Sequence, residues 1–358
     1  MIEPFELRVP RADLDDLADR LARTRWPDEL PDAGFDYGYP LARVRELADH
    51  WRDAYDWRRH EAELNALPQF TTEVDGQRVH FLHVRSARAD ALPLVLVHGW
   101  PGSVVEFLDV VGPLSRDFHV VVPSIPGFGP SGPTTSRGWD VERVARAFAE
   151  LMARLGYRRY GAQGGDWGSS IARAMAAVAP GHVVGVHVNY LPTPPVEGVE
   201  LSEEDRARLD RIRGVMRQRP GYQVLQATRP QTVAYALTDS PVGQLAWIAE
   251  KFTEWADPAS AIPVDRVLTN VALHWFAGTA GSSARLSRES GFGARLPCPA
   301  PLGVAVFAHD IVLPVRALAE RSHRVERWSE FPRGGHFPAL EVPELFADDV
   351  REFFAGRA

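Results

Sequence analysis

Beyond the first 65 or so residues, short apolar runs alternate with amphipathic segments, and this alternation limits the fold more strictly than any other feature. Two strand-like runs, Phe70–Val74 and Val79–Val84, flank Asp75-Gly76, which is a strong signal for a β-hairpin. Leu94–Val97 and Val120–Val122 are short and wholly apolar, as is typical of strands buried on both faces of a sheet. The sequence therefore predicts a sheet whose central strands are covered from both sides.

Amphipathic helices separate the later strands. Residues Asp140–Leu155 place Val144 and Phe148 on one helical face, and the pattern of Ile171–Ala179 predicts a second helix. The same rhythm continues with strand-like runs at Val183–Val188, Leu302–Phe307 and Val325–Phe331 and a closing helix at 342–355. Strands that alternate with helices predict an α/β fold, with a mostly parallel sheet and helices on both faces.

Two regions break this rhythm. The N-terminal region has helical patterns at 11–26 and 41–57 and no strand-like run, and residues from about 191 to 300 have helical runs and no clear strand. A helical insertion between two strands is typical of a lid over the C-terminal edge of the sheet. We therefore predict an N-terminal helical appendage (1–68), a core in two parts (69–190 and 301–358) and a helical lid (191–300).

Charge and composition exclude several classes of protein. The 358 residues carry a formal net charge of −7, which argues against a general nucleic-acid role because phosphate binding needs a basic face. The single cysteine, Cys298, excludes an intramolecular disulfide and a cysteine-based metal cluster. We predict no cofactor and no metal. With no apolar run near the roughly 20 residues of a membrane span, we expect a soluble, most simply cytoplasmic protein without a membrane anchor. A homodimer is left open.

The segment Gln163–Ser170 contains a Gly-x-Asp-x-Gly turn centred on Asp166. A sharp strand-to-helix turn forces its central residue into strained backbone angles, so the residues around it must be small. This is the form of a nucleophile elbow, with aspartate where hydrolases usually carry serine. The helix that follows would point its N-terminus at the site and stabilise a carboxylate there. Alone, the motif also fits an ordinary surface turn, so the surrounding sequence must decide.

A His-Gly-x-Pro turn, His98–Pro101, directly follows the apolar strand Leu94–Val97. In such a site, the backbone N–H of Trp100 and that of Trp167, one residue past the nucleophile, are predicted to form an oxyanion hole. The side chain of His98 itself is expected to be structural.

The base and its orienting acid are expected late in the chain. His336 lies in a glycine-rich loop after the last predicted strand, and Asp310 follows the strand before it. The order Asp166, Asp310, His336 is the nucleophile–acid–base order of the α/β-hydrolase fold, which we therefore predict. His309 as base and Glu341 as acid are the alternatives.

An aspartate nucleophile restricts the reaction. Attack on a saturated carbon gives an alkyl-enzyme ester, which water activated by His336 then cleaves at the carboxyl carbon of Asp166. The electrophile is then an epoxide or an alkyl halide. An epoxide leaves as an alkoxide and needs an acid, and a tyrosine can act as one. The predicted lid contains Tyr222 and Tyr235, and either of them could also be an ordinary packing residue.

Several further motifs accompany these residues: Arg25-Trp26-Pro27, His98–Ser103, Gly164–Ser169, Gly221-Tyr222 through Thr228-Arg229-Pro230, Asp239–Gly243, Glu250-Lys251-Phe252, Thr269-Asn270 and Gly334–His336. With them the chain resembles the microsomal-type epoxide hydrolases across nearly its whole length. The resemblance implies Asp166 as nucleophile, Asp310 and His336 as the pair that activates water, and Tyr222 as one donor to the epoxide oxygen.

The chain departs from that family at a second lid tyrosine, which family members usually carry a few residues after a Ser-Ser pair. Here Ser287 stands in its place. Because serine is a shorter and weaker acid, the usual two-tyrosine arrangement is in doubt. A water bridging from Ser287, a contact from Tyr235 or Trp247, or Tyr222 acting alone are the options.

The leading interpretation is a soluble epoxide hydrolase that converts a small-molecule epoxide into a vicinal diol. Two enzyme alternatives are a haloalkane dehalogenase and an enzyme of secondary metabolism that opens an epoxide with a nucleophile other than water. A non-enzyme alternative is a lapsed hydrolase that binds a hydrophobic ligand under its lid. The predicted triad argues against that last alternative, because a binding protein needs no aligned catalytic residues.

Overall fold

The computed structural model describes residues 1–218, 221–260, 262–291 and 298–357. Within these ranges the strands are β1 (Ile2–Pro4), β2 (Gln69–Val74), β3 (Gln77–Val84), β4 (Leu92–Val97), β5 (Phe118–Pro123), β6 (Tyr160–Gly164), β7 (Val183–Val188), β8 (Leu302–Phe307) and β9 (Val325–Phe331). They form one sheet in the order β1-β2-β3-β5-β4-β6-β7-β8-β9. From β5 to β9 all neighbours are parallel, while β1, β2 and β3 join the sheet by antiparallel pairing.

The helices within the described ranges are α1 (Arg11–Ala22), α2 (Leu41–Asp53), α3 (Trp57–Asn65), α4 (Leu108–Leu114), α5 (Val141–Arg154), α6 (Asp166–Val178), α7 (Glu203–Gln218), α8 (Gly221–Thr228), α9 (Pro230–Asp239), α10 (Pro241–Glu254), α11 (Val264–Ala277), α12 (Ala280–Ser283), α13 (Arg285–Ser290), α14 (Arg316–Ser322), α15 (Pro338–Glu341) and α16 (Pro343–Phe354). Short 3₁₀ helices occupy Val104–Phe107 and Gly129–Ser131.

The central strands are buried on both faces. Every residue of β5 and of β8 is buried, and successive strand residues point to opposite sides of a sheet, so both sides are covered. The covering helices include α5, which packs against α6, and α16, which packs against α4. The predicted α/β-hydrolase fold is confirmed.

The hairpin predicted at Asp75-Gly76 is confirmed by the antiparallel register of β2 and β3. Asp75 and Gly76 have φ values of 52° and 70°, in the left-handed region. Two successive residues with positive φ match the twist of the strands that they join. The hairpin extends the parallel sheet on one side.

The N-terminal appendage differs from the prediction in two respects. Residues Ile2–Pro4 pair with β2 as an antiparallel edge strand, so the statement that this region holds no strand is wrong. A three-residue strand that ends in proline is too short to give an alternating pattern, and the free edge of β2 supplies its partners. The region also has three helices, because Asp56 caps a separate helix α3 through the N–H groups of Arg58 and Arg59.

The described residues between β7 and β8 contain helices α7 to α13, and we keep the name lid for this predicted insertion. The appendage packs on this lid, with α1 and α2 against α10 and α3 against α11. Side-chain hydrogen bonds join the two regions, from Tyr39 to Thr253 and from Tyr55 to Thr269. None of the helices in the described ranges has the length and apolar character needed to cross a membrane.

Candidate active site

The site begins at the turn from β6 to α6. Strand β6 ends at Gly164 and helix α6 begins at Asp166, which therefore lies at the tip of the turn. Asp166 has a φ of 46°, a left-handed conformation that residues with a side chain rarely adopt. Such strain at a turn is characteristic of a functional residue that must project from the backbone.

Gly168 allows α6 to lie close to the end of β4. A methyl group at Gly168 would overlap the carbonyl oxygens of Val97 and His98, which are backbone atoms and cannot move aside. A methyl group at Gly99 would likewise overlap the side chain of Asp166. The glycines therefore hold the His98 turn and the elbow in contact.

The carboxylate of Asp166 faces backbone donors. The N–H of Trp100 donates to Asp166 Oδ1 at 2.8 Å. Trp167 is the second residue of α6, where the N–H groups of a helix lack partners within the helix. The N-terminus of α6 adds a favourable dipole for a negative charge.

The structure brings His336 and Asp310 to the same place. His336 Nε2 lies 3.5 Å from Asp166 Oδ2, and His336 Nδ1 donates to Asp310 Oδ1 at 2.8 Å. Asp310 Oδ1 also accepts the N–H of Ile311 at 2.6 Å. His336 and Asp310 are both buried. With Nδ1 donating to a carboxylate, Nε2 is the nitrogen free to exchange a proton at Asp166.

Two carboxylates determine the protonation of His336. Burial alone would lower the pKa of His336, but the negative charges of Asp310 and Asp166 outweigh it and raise the pKa to about 10. In the resting site the imidazole is therefore charged at neutral pH. Neutralising Asp166 would remove part of the cause and lower that pKa.

The alternative acid and base lie elsewhere. Glu341 accepts the N–H groups of Gly335 at 2.8 Å and of Phe337 at 2.8 Å, so it holds the loop around His336 and not its ring. His309 is partly exposed, and its Nε2 lies 3.6 Å from Asp257.

The side chain of His98 has a structural environment, as predicted. It is fully buried, donates from Nδ1 to the carbonyl oxygen of Gly99 at 3.1 Å, and accepts the N–H of Ile125 at its Nε2 at 3.2 Å. Both ring nitrogens are thus occupied by backbone groups.

Tyr222, on α8 of the lid, lies over this site. Its ring stacks on that of Trp100, with centroids 5.1 Å apart and planes 11° apart, and also contacts Trp255 at 5.4 Å. The ammonium of Lys251 lies 4.9 Å from the centroid of the Tyr222 ring. Burial, together with the charge of Asp166, raises the pKa of Tyr222, so its hydroxyl keeps its proton and can donate a hydrogen bond.

The other lid residues predicted near the site, Tyr235, Trp247 and Ser287, have different surroundings from Tyr222. Tyr235 on α9 is 71% exposed, and the structure does not bring it to Asp166. Trp247 donates from Nε1 to Gln226 Oε1 at 3.3 Å, and Gln226 Nε2 donates to the buried Ser287 hydroxyl at 3.5 Å. Trp247 and Ser287 therefore lie together in the packing of the lid.

Two aromatic residues at the site were missed by the sequence analysis. Trp255 contacts the ring of His336, with centroids 5.0 Å apart, and Tyr190 contacts it from another direction at 5.4 Å. Tyr190 follows β7 closely, and ligands of parallel sheets bind beyond the carboxyl ends of the strands, so its position was an available signal. Trp255 lies at the end of a lid helix and had no comparable signal.

Within the described part of the chain, no group of three or more histidine, cysteine, aspartate or glutamate side chains is arranged to hold a metal ion.

Two family models and several known proteins are similar to this chain. A family model described as epoxide hydrolase N terminus matches residues 2–107, and one described as alpha/beta hydrolase fold matches residues 93–220. A protein of Stigmatella aurantiaca (strain DW4/3-1), whose name gives it a provisional assignment as an epoxide hydrolase, is 44% identical over 99% of this chain and 84% of its own length.

A mammalian relative and a solved fungal structure are also similar to nearly the whole chain. Epoxide hydrolase 1 of Sus scrofa is 33% identical over 98% of this chain and 88% of its own length. The structure of an epoxide hydrolase from Aspergillus niger superposes with a TM-score of 0.92 at 31% identity, and the match covers 99% of this chain and 96% of that one. The similarity thus includes the appendage, the core and the lid together.

Proposed function

The chain belongs to the epoxide hydrolase family of enzymes, and we propose that it opens a small-molecule epoxide to a vicinal diol through an ester between Asp166 and a substrate carbon. The observation that carries this proposal is the carboxylate at the tip of the elbow, with the Trp100 nitrogen 2.8 Å from Oδ1 and His336 Nε2 3.5 Å from Oδ2. Nucleophile, oxyanion donor and base are within reach of one another.

In the first step Asp166 Oδ2 attacks an epoxide carbon and the carbon–oxygen bond of the ring breaks. Tyr222 donates a hydrogen bond or proton to the departing oxygen. As Asp166 attacks, its negative charge moves to the epoxide oxygen. The phenol of Tyr222 therefore stabilises that oxygen at the moment when its negative charge develops. General-acid help of this kind is typically worth about 10²–10⁴-fold in rate.

In the second step His336 takes a proton from water, and the hydroxide attacks Cγ of Asp166. Esterified Asp166 carries no charge, so one of the two carboxylates that keep His336 protonated is lost. The imidazolium then gives its proton to the alkoxide or phenolate left by the first step, and the neutral imidazole becomes available as a base. The oxyanion at Oδ1 is held by the N–H of Trp100 and that of Trp167. Asp310 stabilises the imidazolium, the ester bond breaks, and the diol leaves.

The position of Tyr222 favours an epoxide over an alkyl halide. A halide leaves as a stable anion and needs no proton, whereas an alkoxide is a strong base. A phenol stacked on Trp100, whose N–H contacts the nucleophile, lies where only the epoxide reaction has a use for it.

A single turnover in heavy-oxygen water, with enzyme in excess over a panel of epoxides, tests the proposal. The first diol should contain no label from the solvent, because its new oxygen comes from Asp166. The peptide containing Asp166 should gain one heavy oxygen, which mass spectrometry detects. Label entering the diol directly in the first turnover would show that water attacks the epoxide itself and would contradict the ester.

Asp166→Ala is the control for this measurement. It removes the attacking oxygen and should reduce turnover by at least about 10³-fold, without label in the peptide. A product that contains neither solvent oxygen nor oxygen from Asp166 would instead indicate that another nucleophile has formed the bond to the epoxide carbon.

A further inference from the structure

The wall of the site opposite the lid contains a second tyrosine. Tyr190 lies two residues past the end of β7, at the carboxyl edge of the sheet. Its ring meets that of His336 edge to face, with centroids 5.4 Å apart and an interplanar angle of 87°. The hydroxyl of Ser169, on α6, donates to the backbone oxygen of Tyr190 and ties this residue to the helix that carries the nucleophile.

The hydroxyl of Tyr190 is close enough to the reacting groups to be influenced by their charges. Burial raises the pKa of Tyr190, and the charges of Asp166 and Asp310 raise it further. The phenol of Tyr222 also contributes to that shift, so the two tyrosines lie within electrostatic reach of each other as well as of the nucleophile. Tyr190 is therefore a protonated donor in the resting site.

Neither phenol hydroxyl is used in a hydrogen bond within the described parts of the chain. The hydroxyls of Tyr190 and Tyr222 have no hydrogen-bond partner among the described residues, and neither is one of the fully enclosed polar atoms left without a partner. Each hydroxyl therefore has no hydrogen-bond partner in the described residues and is not completely enclosed by them. A buried or half-buried phenol is usually hydrogen-bonded, so two unpartnered ones beside one carboxylate require an explanation.

Ser287 does not occupy the same place. Its hydroxyl is buried and receives the side-chain amide of Gln226 at 3.5 Å, and Gln226 in turn accepts from Trp247. This hydroxyl is held within the lid by other lid side chains. The lid therefore has no second phenol at Ser287, whereas the core provides an additional phenol, that of Tyr190.

On the basis of the proposed function, we propose that Tyr190 is a catalytic residue that donates a second hydrogen bond to the epoxide oxygen, together with Tyr222. The core supplies one phenol and the lid supplies the other. As Asp166 attacks carbon, charge develops on the oxygen between the two hydroxyls, and the proton passes to it from one of them. The second hydroxyl keeps its hydrogen bond to the new alcohol. The phenolate left behind regains its proton as the imidazolium of His336 gives up its own before the hydrolysis step.

The test measures ester formation alone. In a His336→Gln background the ester should accumulate, and rapid quenching with intact-mass detection then gives its rate of formation. Adding Tyr190→Phe should slow this rate by about tenfold or more, since it removes one of two donors. The ring is retained, so the packing against residue 336 is little changed, and thermal unfolding of the variant should match that of its parent.

Tyr235→Phe is the matched control, because it removes the same hydroxyl from a lid tyrosine that is 71% exposed. It should leave the rate of ester formation unchanged. If Tyr190→Phe also leaves that rate within about threefold, the hydroxyl is not a donor to the epoxide and the proposal is wrong.

The proposal is also wrong if Tyr190→Phe leaves ester formation unchanged and slows only the hydrolysis of the ester, measured in enzyme that retains His336. That result would assign the hydroxyl to the attacking water. Failure of the proposed function is distinct from both outcomes, because the His336→Gln parent would then form no ester with any epoxide of the panel.

Discussion

At the scale of single residues, Asp310 controls how strongly His336 holds its proton. Burial favours the neutral imidazole, but Asp310 and Asp166 together raise the pKa of His336 to about 10. When Asp166 is esterified, Asp310 is the remaining carboxylate of that pair. The pH at which the ester is hydrolysed therefore reports on Asp310.

Asp310→Asn should shift the pH dependence of ester hydrolysis. The base must be neutral, so hydrolysis slows as pH falls through the pKa of His336, and removing a negative charge lowers that pKa. The acidic limb should move to lower pH, while the maximum rate falls by roughly 10²-fold or more because the imidazolium loses its counter-charge. Rapid mixing and quenching over a range of pH gives both quantities.

The chain offers a matched control for this change. His187 and Asp349 form another buried pair, with Nε2 and Oδ2 2.9 Å apart, away from the site. Asp349→Asn should affect stability and leave the acidic limb of the pH profile in place. If the acidic limb of the pH profile does not move in the Asp310→Asn variant either, Asp310 does not set the pKa of His336.

At the scale of elements, the elbow depends on how closely α6 approaches β4. The approach is limited by backbone atoms on both sides, the carbonyl oxygens of Val97 and His98 and the Cα of Gly168. Moving α6 outward would displace Asp166 and the N–H of Trp167 together. Stability and activity should therefore be lost together when this contact is widened.

Gly168→Ala should lower the free energy of unfolding by about 1–3 kcal/mol and reduce turnover far more than that loss of folded protein explains. Gly214→Ala is the control, because Gly214 also lies in a helix but has open space where a Cβ would stand. This control should raise the free energy of unfolding by roughly 0.5–1 kcal/mol and leave turnover unchanged. Thermal unfolding and steady-state assays of the pair would show whether the close approach matters; equal behaviour of the two variants would show that it does not.

At the scale of the whole molecule, Arg266 joins all three parts of the chain. It lies on α11 of the lid and binds Glu63 of the appendage and Asp109 of the core, each at 2.8 Å. Its side chain is 15% exposed, so this pair of contacts is better shielded than the surface ion pairs. The lid is thus fixed to the core partly through the appendage.

Arg266→Ala should lower the free energy of unfolding by about 1 kcal/mol, because two fixed ion pairs are lost. Arg316→Ala, which removes an exposed pair with Glu320, should change stability by less than about 0.5 kcal/mol. The comparison is made by thermal unfolding at low and high salt, and the difference should shrink as salt increases. Equal midpoints for the two variants would show that the appendage does not fix the lid in this way.

Local patterns in the sequence were sufficient to predict the architecture and to propose Asp166, Asp310 and His336 as a catalytic triad. Apolar runs separated by amphipathic helices predicted the parallel sheet, and the glycines around Asp166 predicted the elbow, since both are local patterns with a local physical cause. His336 and Asp310 were found because catalytic groups of parallel sheets follow the ends of strands. The short strand β1 was missed because a strand that pairs with the free edge of a sheet does not need an alternating sequence of polar and apolar residues.

Tertiary packing determines which side chains of the lid and of the sheet edge lie beside the candidate nucleophile. Tyr222 and Tyr235 have equal claims by residue type, and one stacks on Trp100 while the other is exposed. Tyr190 and Trp255 reach His336 because β7 and α10 end beside it, although they lie 146 and 81 positions before it in the sequence. Contacts of this kind come from the packing of a lid on a sheet, and no period or spacing along the chain encodes them.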